Sequence, residues 1–386
     1  MEPLKDYSWL RGVNHGMLDE ETTRKYLEYG KRVGLNSVRF WLNPVQWEKD
    51  PKGYCEDIRA YIRTCNDCGY KAMPILLNGN GFKAESLEED QMKRLDEYVT
   101  YMVNELKDED GLLMWDIMNE PAYNPLLLQK DITAEEKERR LERIISFLKH
   151  YCHLVKELDP KNATTVGHHV ARHIEYTADD VDVFSFHDYS WTKESCMNHF
   201  ALADSIGKKY GKPVIQTETG CLARCNPYDM VLEAAQRFNM GWMLFNLIIS
   251  GYNNTIHGIF YPDGTVRDPA TIAAMFGCFR NRGSSIVVPL PNREGAANRC
   301  IEEAKSLLND YTRENIFNYK ASRTEDLLNS CEKMANLLEC CDMVPMAYPP
   351  TATINRYRAM ENPPANEIRK LAFDLAEKLK EVCCIL

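Results

Sequence analysis

The chain predicts a (β/α)8 TIM barrel followed by a C-terminal helical extension. Two observations carry that prediction. Over the first three quarters of its 386 residues, eight short apolar or β-branched runs alternate with longer stretches of helical periodicity. Beyond them the texture turns helical to the end. Strand, helix, strand at this rhythm implies parallel pairing with right-handed crossovers, and eight units close a barrel more naturally than they extend an open sheet. No Gly-x-Gly-x-x-Gly follows the first strand, which weighs against a dinucleotide-binding fold.

Taken in order, the expected strands are Leu10–Asn14, Ser37–Leu42, Lys71–Leu77, Leu112–Met118, Thr164–His168, Val181–His187, Pro213–Glu218 and Gly241–Ile248. The amphipathic stretches between them are Glu20–Val33, Cys55–Cys68, Glu89–Lys107, Ala134–Glu157, His199–Tyr210 and Met230–Asn239, with Pro269–Phe279 as the eighth crossover. The break Asn281-Arg-Gly-Ser-Ser then separates a barrel domain, 1–284, from an extension, 285–386. Apolar residues at three- and four-residue spacing predict helices over Ala296–Tyr311, Ser322–Cys341 and Pro364–Val382. Such stripes need cover, so the extension is expected to pack on the barrel or to build a homodimer interface.

Composition narrows the function. The formal net charge is −10, and no long basic run interrupts it, so charge-driven binding of nucleic acid is not expected. A neutral substrate suits the balance. The 14 cysteines are scattered, with adjacent pairs at Cys340-Cys341 and Cys383-Cys384, which is not a disulfide framework. Reduced thiols and a cytoplasmic setting follow, the more so because no signal-peptide core opens the sequence and no membrane-length apolar run occurs.

In a barrel, chemistry sits at the C-terminal ends of the strands. The fourth strand runs Leu112-Leu-Met-Trp-Asp-Ile-Met118 and ends on Asn119-Glu120-Pro121. A turn or helix cap would also use Asn and Pro, but the placement delivers a carboxylate into the mouth. The seventh strand likewise ends an apolar run on Glu218. Strands four and seven face each other across the mouth. Two carboxylates flanking a bond are the machinery of glycoside hydrolysis: one protonates the leaving oxygen, and the other attacks the anomeric carbon or activates water. The sixth strand places His187 and Tyr189 on one face of an extended chain. In the second, Arg39 lies inside an apolar run and needs a partner, for which Glu218 is a candidate; a peripheral salt bridge is the plainer possibility.

These residues resemble clan A of the glycoside hydrolases, and within it glycoside hydrolase family 5 and its cellulase-like relatives. The resemblance spans Trp9 to Phe279. It rests on the order and spacing of Gly12-Val-Asn14, Val38-Arg39-Phe40, Trp115-Asp-Ile-Met-Asn-Glu-Pro121, Phe186-His-Asp-Tyr189, Gln216-Thr-Glu218 and Gly241-Trp-Met-Leu-Phe-Asn246. It implies a retaining double displacement with Glu120 as general acid/base and Glu218 as nucleophile, their carboxyls about 5 to 5.5 Å apart. It also implies that Asn119 binds the sugar 2-hydroxyl, that Tyr189 and Arg39 support Glu218, that His187 lines the mouth near the acid, and that neither a metal nor an organic cofactor takes part. Two departures from the family pattern stand out. Phe245 occupies the position where a tryptophan usually floors the reacting sugar, with Trp242 three residues earlier. Asn78-Gly-Asn80-Gly ends the third strand where a histidine is usual.

Trp41, Trp47, Tyr123, Trp191, Trp242 and Tyr252 are candidates to stack on sugar faces. A long loop, Pro121–Glu135, follows the acid/base and could wall off one end of a cleft. Exo-action on short β-linked oligosaccharides or glycosides is therefore expected. An endo-β-glycanase and a non-catalytic carbohydrate-binding barrel are the alternatives.

Overall fold

The structure is a computed structural model that describes residues 6–129, 131–249, 257–280, 324–340 and 344–385. Its eight strands are β1 (Arg11–Asn14), β2 (Ser37–Trp41), β3 (Lys71–Asn78), β4 (Trp115–Asn119), β5 (Thr164–His168), β6 (Phe184–Asp188), β7 (Val214–Thr219) and β8 (Gly241–Phe245). Each pairs in parallel with its sequence neighbours, and β8 returns to β1, so the sheet closes into a (β/α)8 barrel. The crossovers are α1 (Glu20–Lys31), α2 (Pro44–Lys49), α3 (Pro51–Asp67), α4 (Glu89–Leu106), α5 (Pro125–Leu128), α6 (Ala134–Leu158), α7 (Lys193–Tyr210), α8 (Tyr228–Arg237) and α9 (Pro269–Met275).

Local chemistry sets the boundaries. The Asp19 carboxylate accepts from Thr22 N at 2.9 Å to open α1, and Asp50 caps Gly53 N at 3.0 Å ahead of Pro51 to open α3. Helix α7 starts six residues before the expected His199. Thr192 caps it, and its polar first turn, Lys193-Glu-Ser, carries no apolar stripe to read. Gly211 ends it in the left-handed region at φ 64°, where a side chain would be strained. No helix was expected between β5 and β6, and a short 3-10 turn, Ala171–Thr177, fills that crossover.

The strands read as unbroken apolar runs because both faces are covered. Phe40 points outward onto Tyr61 of α3, with ring centroids 4.8 Å apart. Leu10, Met73, Met114, Val183, Ile215 and Met243 form one buried cluster. Each such side chain stabilises the fold by about 1.5–3 kcal/mol. Arg39 and Asp116 are fully buried as well, and they carry the polar layer on which the site is built.

Contacts divide the chain into two compact units. The first comprises 1–220, 226–249 and 257–280; the second comprises 221–225, 250–256 and 281–386. The second unit contains α10 (Thr324–Cys340), α11 (Val344–Arg358) and α12 (Ala365–Ile385). They enclose their own core of Leu328, Cys331, Met334, Leu338, Ile354, Tyr357, Ile368 and Leu375. Helix α11 was not expected. Pro345, Pro349 and Pro350 mask its periodicity, and its buried Ile354 and Tyr357 come late in the segment. The expected 284/285 boundary and the expected helix Ala296–Tyr311 lie outside the described residues. Among the described residues, no helix is long and apolar enough to cross a membrane.

Candidate active site

Arg39 organises the mouth of the barrel. Its Nε donates to Asp116 Oδ2 at 2.8 Å. Nη1 reaches Asn14 Oδ1 at 3.0 Å and Glu218 Oε2 at 3.1 Å, and Nη2 reaches Asn119 Oδ1 at 2.8 Å. One planar fork thus ties β1, β2, β4 and β7 together. Asp116 is the partner that a buried arginine requires. Burial pushes its carboxyl above the usual range, while Arg39 and the Gly167 N–H, 3.1 Å from Oδ1, pull it down.

Glu218 is held at both oxygens. Tyr189 Oη donates to Oε1 at 2.8 Å, and Arg39 holds Oε2. Glu120 sits just past β4 at φ 47°, a backbone region that costs a non-glycine residue about 1–3 kcal/mol. Its N–H donates to Gly167 O at 2.7 Å, and its carbonyl accepts from Tyr123 N at 2.9 Å, which fixes the turn. His187 Nδ1 lies 2.8 Å from Glu120 Oε1 and 3.8 Å from Glu218 Oε2. One oxygen of each glutamate and one nitrogen of His187 all lie within 4.8 Å of one another.

Burial pulls the His187 imidazole down to about 3, so the ring is neutral near pH 7 and carries one N–H. Its Nε2 is buried with no hydrogen-bond partner. An orphaned N–H is costlier than an orphaned lone pair, which assigns the proton to Nδ1 and makes His187 a donor to Glu120 Oε1. The stability sign follows. The folded value lies below the unfolded value of about 6.5, so the unfolded chain takes up a proton that the native chain refuses. His187 therefore stabilises fully above about pH 6.5, and that contribution is lost as pH falls towards 3. His15 and His169, each pulled down to about 4 by burial, act in the same direction. Denaturant midpoints should fall between pH 7.5 and 5, by up to about 1.4 kcal/mol per pH unit for each such histidine. A His187→Gln variant should show a shallower fall; a midpoint independent of pH would contradict the assignment.

Gly167 on β5 makes room for this cluster. A Cβ there would lie 2.6 Å from Arg39 Nη2 and 3.1 Å from both Asp116 Oδ2 and His187 Nε2. Gly167→Ala should destabilise the fold by about 1–3 kcal/mol through overpacking. Gly16, with nothing within 4 Å, should tolerate alanine in the same thermal melt.

Of the residues expected in the site, Arg39, Asn119, Glu120, His187, Tyr189 and Glu218 converge. Asn78 joins them: its Oδ1 accepts from Asn119 Nδ2 at 3.3 Å. Phe245 ends β8 beside Trp41, edge-on at 5.8 Å, and beside His257 at 4.7 Å. Trp242 does not join them, which corrects the expectation that it lines the site. It pairs with Arg11 at the start of β8, under the Arg11 guanidinium at 6.0 Å. Three residues along a strand span about 10 Å and reverse the face, so Trp242 and Phe245 cannot share one pocket. Trp191 lies past β6 and is 62 % exposed, outside the buried cluster. Trp47 packs against Tyr98 and Tyr101. Tyr252 lies outside the described residues.

The sequence reading assigned no role to Asp116, Gly167, His169 or His257, and noted Asn80 only as part of an atypical end to the third strand. A carboxylate inside the apolar run of β4 was the one visible signal. Glu120, His187 and Glu218 are also the one set of three potential metal ligands found among the described residues. The guanidinium 3.1 Å from Glu218 already supplies positive charge there, and the donor set suits proton transfer.

No protein-family model and no curated protein matches the chain. Solved structures do. The endo-1,4-beta-mannanase from Rhizomucor miehei aligns with TM-score 0.54 and 16% identity, over 69% of this chain and 92% of its own. Endoglucanase Cel5A from Pseudomonas stutzeri aligns with TM-score 0.53 and 13% identity, over 72% and 97%. A GH5_18 protein from Streptomyces cattleya, solved with GlcNAc, aligns with TM-score 0.54 and 14% identity, over 71% and 81%. These neighbours are thus a mannanase, an endoglucanase and a GH5_18 protein, and at these identities the likeness is one of fold.

Proposed function

We propose that the protein is a retaining β-glycosidase. The observation that carries this reading is the pair of strand-end carboxylates with oxygens within 4.8 Å. Carboxylates that approach this closely favour double displacement, which uses a separation of about 5–5.5 Å, over single displacement by an intervening water, which uses roughly 6.5–9.5 Å. Glu218, held by Arg39 and Tyr189, attacks the anomeric carbon. The glycosidic C–O bond breaks, and its oxygen takes the proton from Glu120. In the second half Glu120 takes a proton from water, whose oxygen displaces Glu218 from the sugar. Asn119, oriented by Arg39 and Asn78, presents its amide to the sugar 2-hydroxyl, and Phe245 and Trp41 floor the ring.

The exo reading on short substrates takes the loop after Glu120 as a wall at one end of the cleft. Asn124 Nδ2 donates to Pro121 O at 2.6 Å, and Arg140 Nη1 donates to Leu126 O at 2.8 Å, so this segment has the fixed conformation such a wall needs. The test is a panel of aryl β-glycosides, β-linked di- and trisaccharides, and soluble β-glucan and β-mannan. Release of single sugars from the short substrates is expected. Cleavage confined to internal bonds of the polymers would replace exo- by endo-action, and no cleavage of any member would reject the glycosidase reading.

A further inference from the structure

The second oxygen of Glu120 faces a residue outside the strands. Gly79–Gly81 form a 3-10 turn directly after β3, in which Asn78 Oδ1 accepts from Asn80 N at 3.2 Å. The turn cannot drift from the acid/base, because a Cβ on Gly79 would lie 2.2 Å from Glu120 O and 2.7 Å from Asn119 O. The Asn80 amide has one orientation that satisfies its neighbours. With nitrogen towards them, Nδ2 donates to Glu120 Oε2 at 3.2 Å and to Tyr123 O at 3.1 Å. The opposite orientation sets an oxygen against two acceptors.

We propose that Asn80 is the positioning residue of the acid/base, its amide holding Glu120 Oε2 towards the leaving-group oxygen and favouring the ionised carboxylate. This rests on the glycosidase reading only for its catalytic consequence. His187 N–H occupies Oε1, so the transferable proton belongs on Oε2, the oxygen that the Asn80 amide orients. A donor to the charged form makes Glu120 a weaker base and a stronger acid. Among the described residues, charged or titratable groups around Glu120 include His187 on β6, Glu218 on β7, Arg39 through Asn119 on β2, and His169 after β5, whose imidazole feels the Glu120 charge. None of these contacts is removed by changing Asn80. An amide chain Asn80–Asn78–Asn119–Arg39–Glu218 also joins the two carboxylates.

The test compares the wild type with Asn80→Ala and Asn80→Asp. Glu120 is titrated directly by carboxyl 13C NMR, which needs no substrate, with Glu120→Gln assigning the signal. Its midpoint should rise by roughly half a unit to one unit in Asn80→Ala, because a charge-assisted donor on a partly solvated group is lost. It should rise further in Asn80→Asp, where a carboxylate faces Oε2. The alkaline limb of kcat/KM for a phenyl β-glycoside should move by the same amounts. At neutral pH, kcat/KM for that substrate should fall roughly tenfold, while a dinitrophenyl glycoside, whose leaving group needs no proton, is nearly unaffected. Midpoints unchanged in both variants, or equal losses on both leaving groups, would overturn the proposal. A shifted midpoint in a protein that hydrolyses nothing would keep the Asn80–Glu120 coupling and reject the glycosidase reading instead.

Discussion

Glu218→Gly should lower hydrolysis of an aryl β-glycoside by roughly 10⁴–10⁶-fold, and added azide should restore part of the turnover. The variant removes the attacking carboxylate and leaves a space where a small anion can act in one displacement. Azide then bonds to the anomeric carbon from the face opposite the leaving group, and the product is the α-glycosyl azide. Arg39 remains in place to hold the site open, since it keeps Asp116, Asn14 and Asn119. A product of β configuration would mean that Glu218 is not the group that attacks.

Arg39→Ala should be the most damaging substitution to the fold as well as to activity. It removes a fully buried guanidinium and leaves Asp116, also fully buried, without its counter-charge. Breaking such a pair costs about 3–5 kcal/mol. Activity should fall on the order of 10²–10³-fold, because Glu218 Oε2 and the Asn119 amide lose their common anchor. Arg39→Lys keeps charge but not the planar fork and should lie between. Adding Asp116→Asn to Arg39→Ala should recover much of the stability and none of the activity, which separates the two roles in a denaturant titration run beside an assay.

The barrel was legible in the sequence because a parallel strand covered on both faces leaves an unbroken apolar run, and eight such runs separate cleanly from the amphipathic helices. The two glutamates were legible for the same reason, as charges that end those runs. What stayed hidden depends on contacts between distant strands. Arg39 visibly needed a partner, and the nominated Glu218 is one at 3.1 Å, but the fully buried partner, Asp116, 77 residues away and only four before Glu120, was not foreseen. Gly167 looked like an ordinary strand glycine. Its meaning lies in the three side chains that fill the space beside it. Trp242 misled because nearness in sequence was read as nearness in the pocket, against the period of a strand. Asn80 sits in a turn, where no periodicity marks a residue, and only its meeting with Glu120 Oε2 gives it a role.

The most direct test of the two-carboxylate account is the anomer of the sugar first released by the wild-type protein from an aryl β-glycoside, followed by proton NMR before mutarotation. Double displacement predicts the β-anomer, retained through a glycosyl-enzyme on Glu218. An initial α-anomer would mean single displacement by water and would contradict the roles given to Glu120 and Glu218.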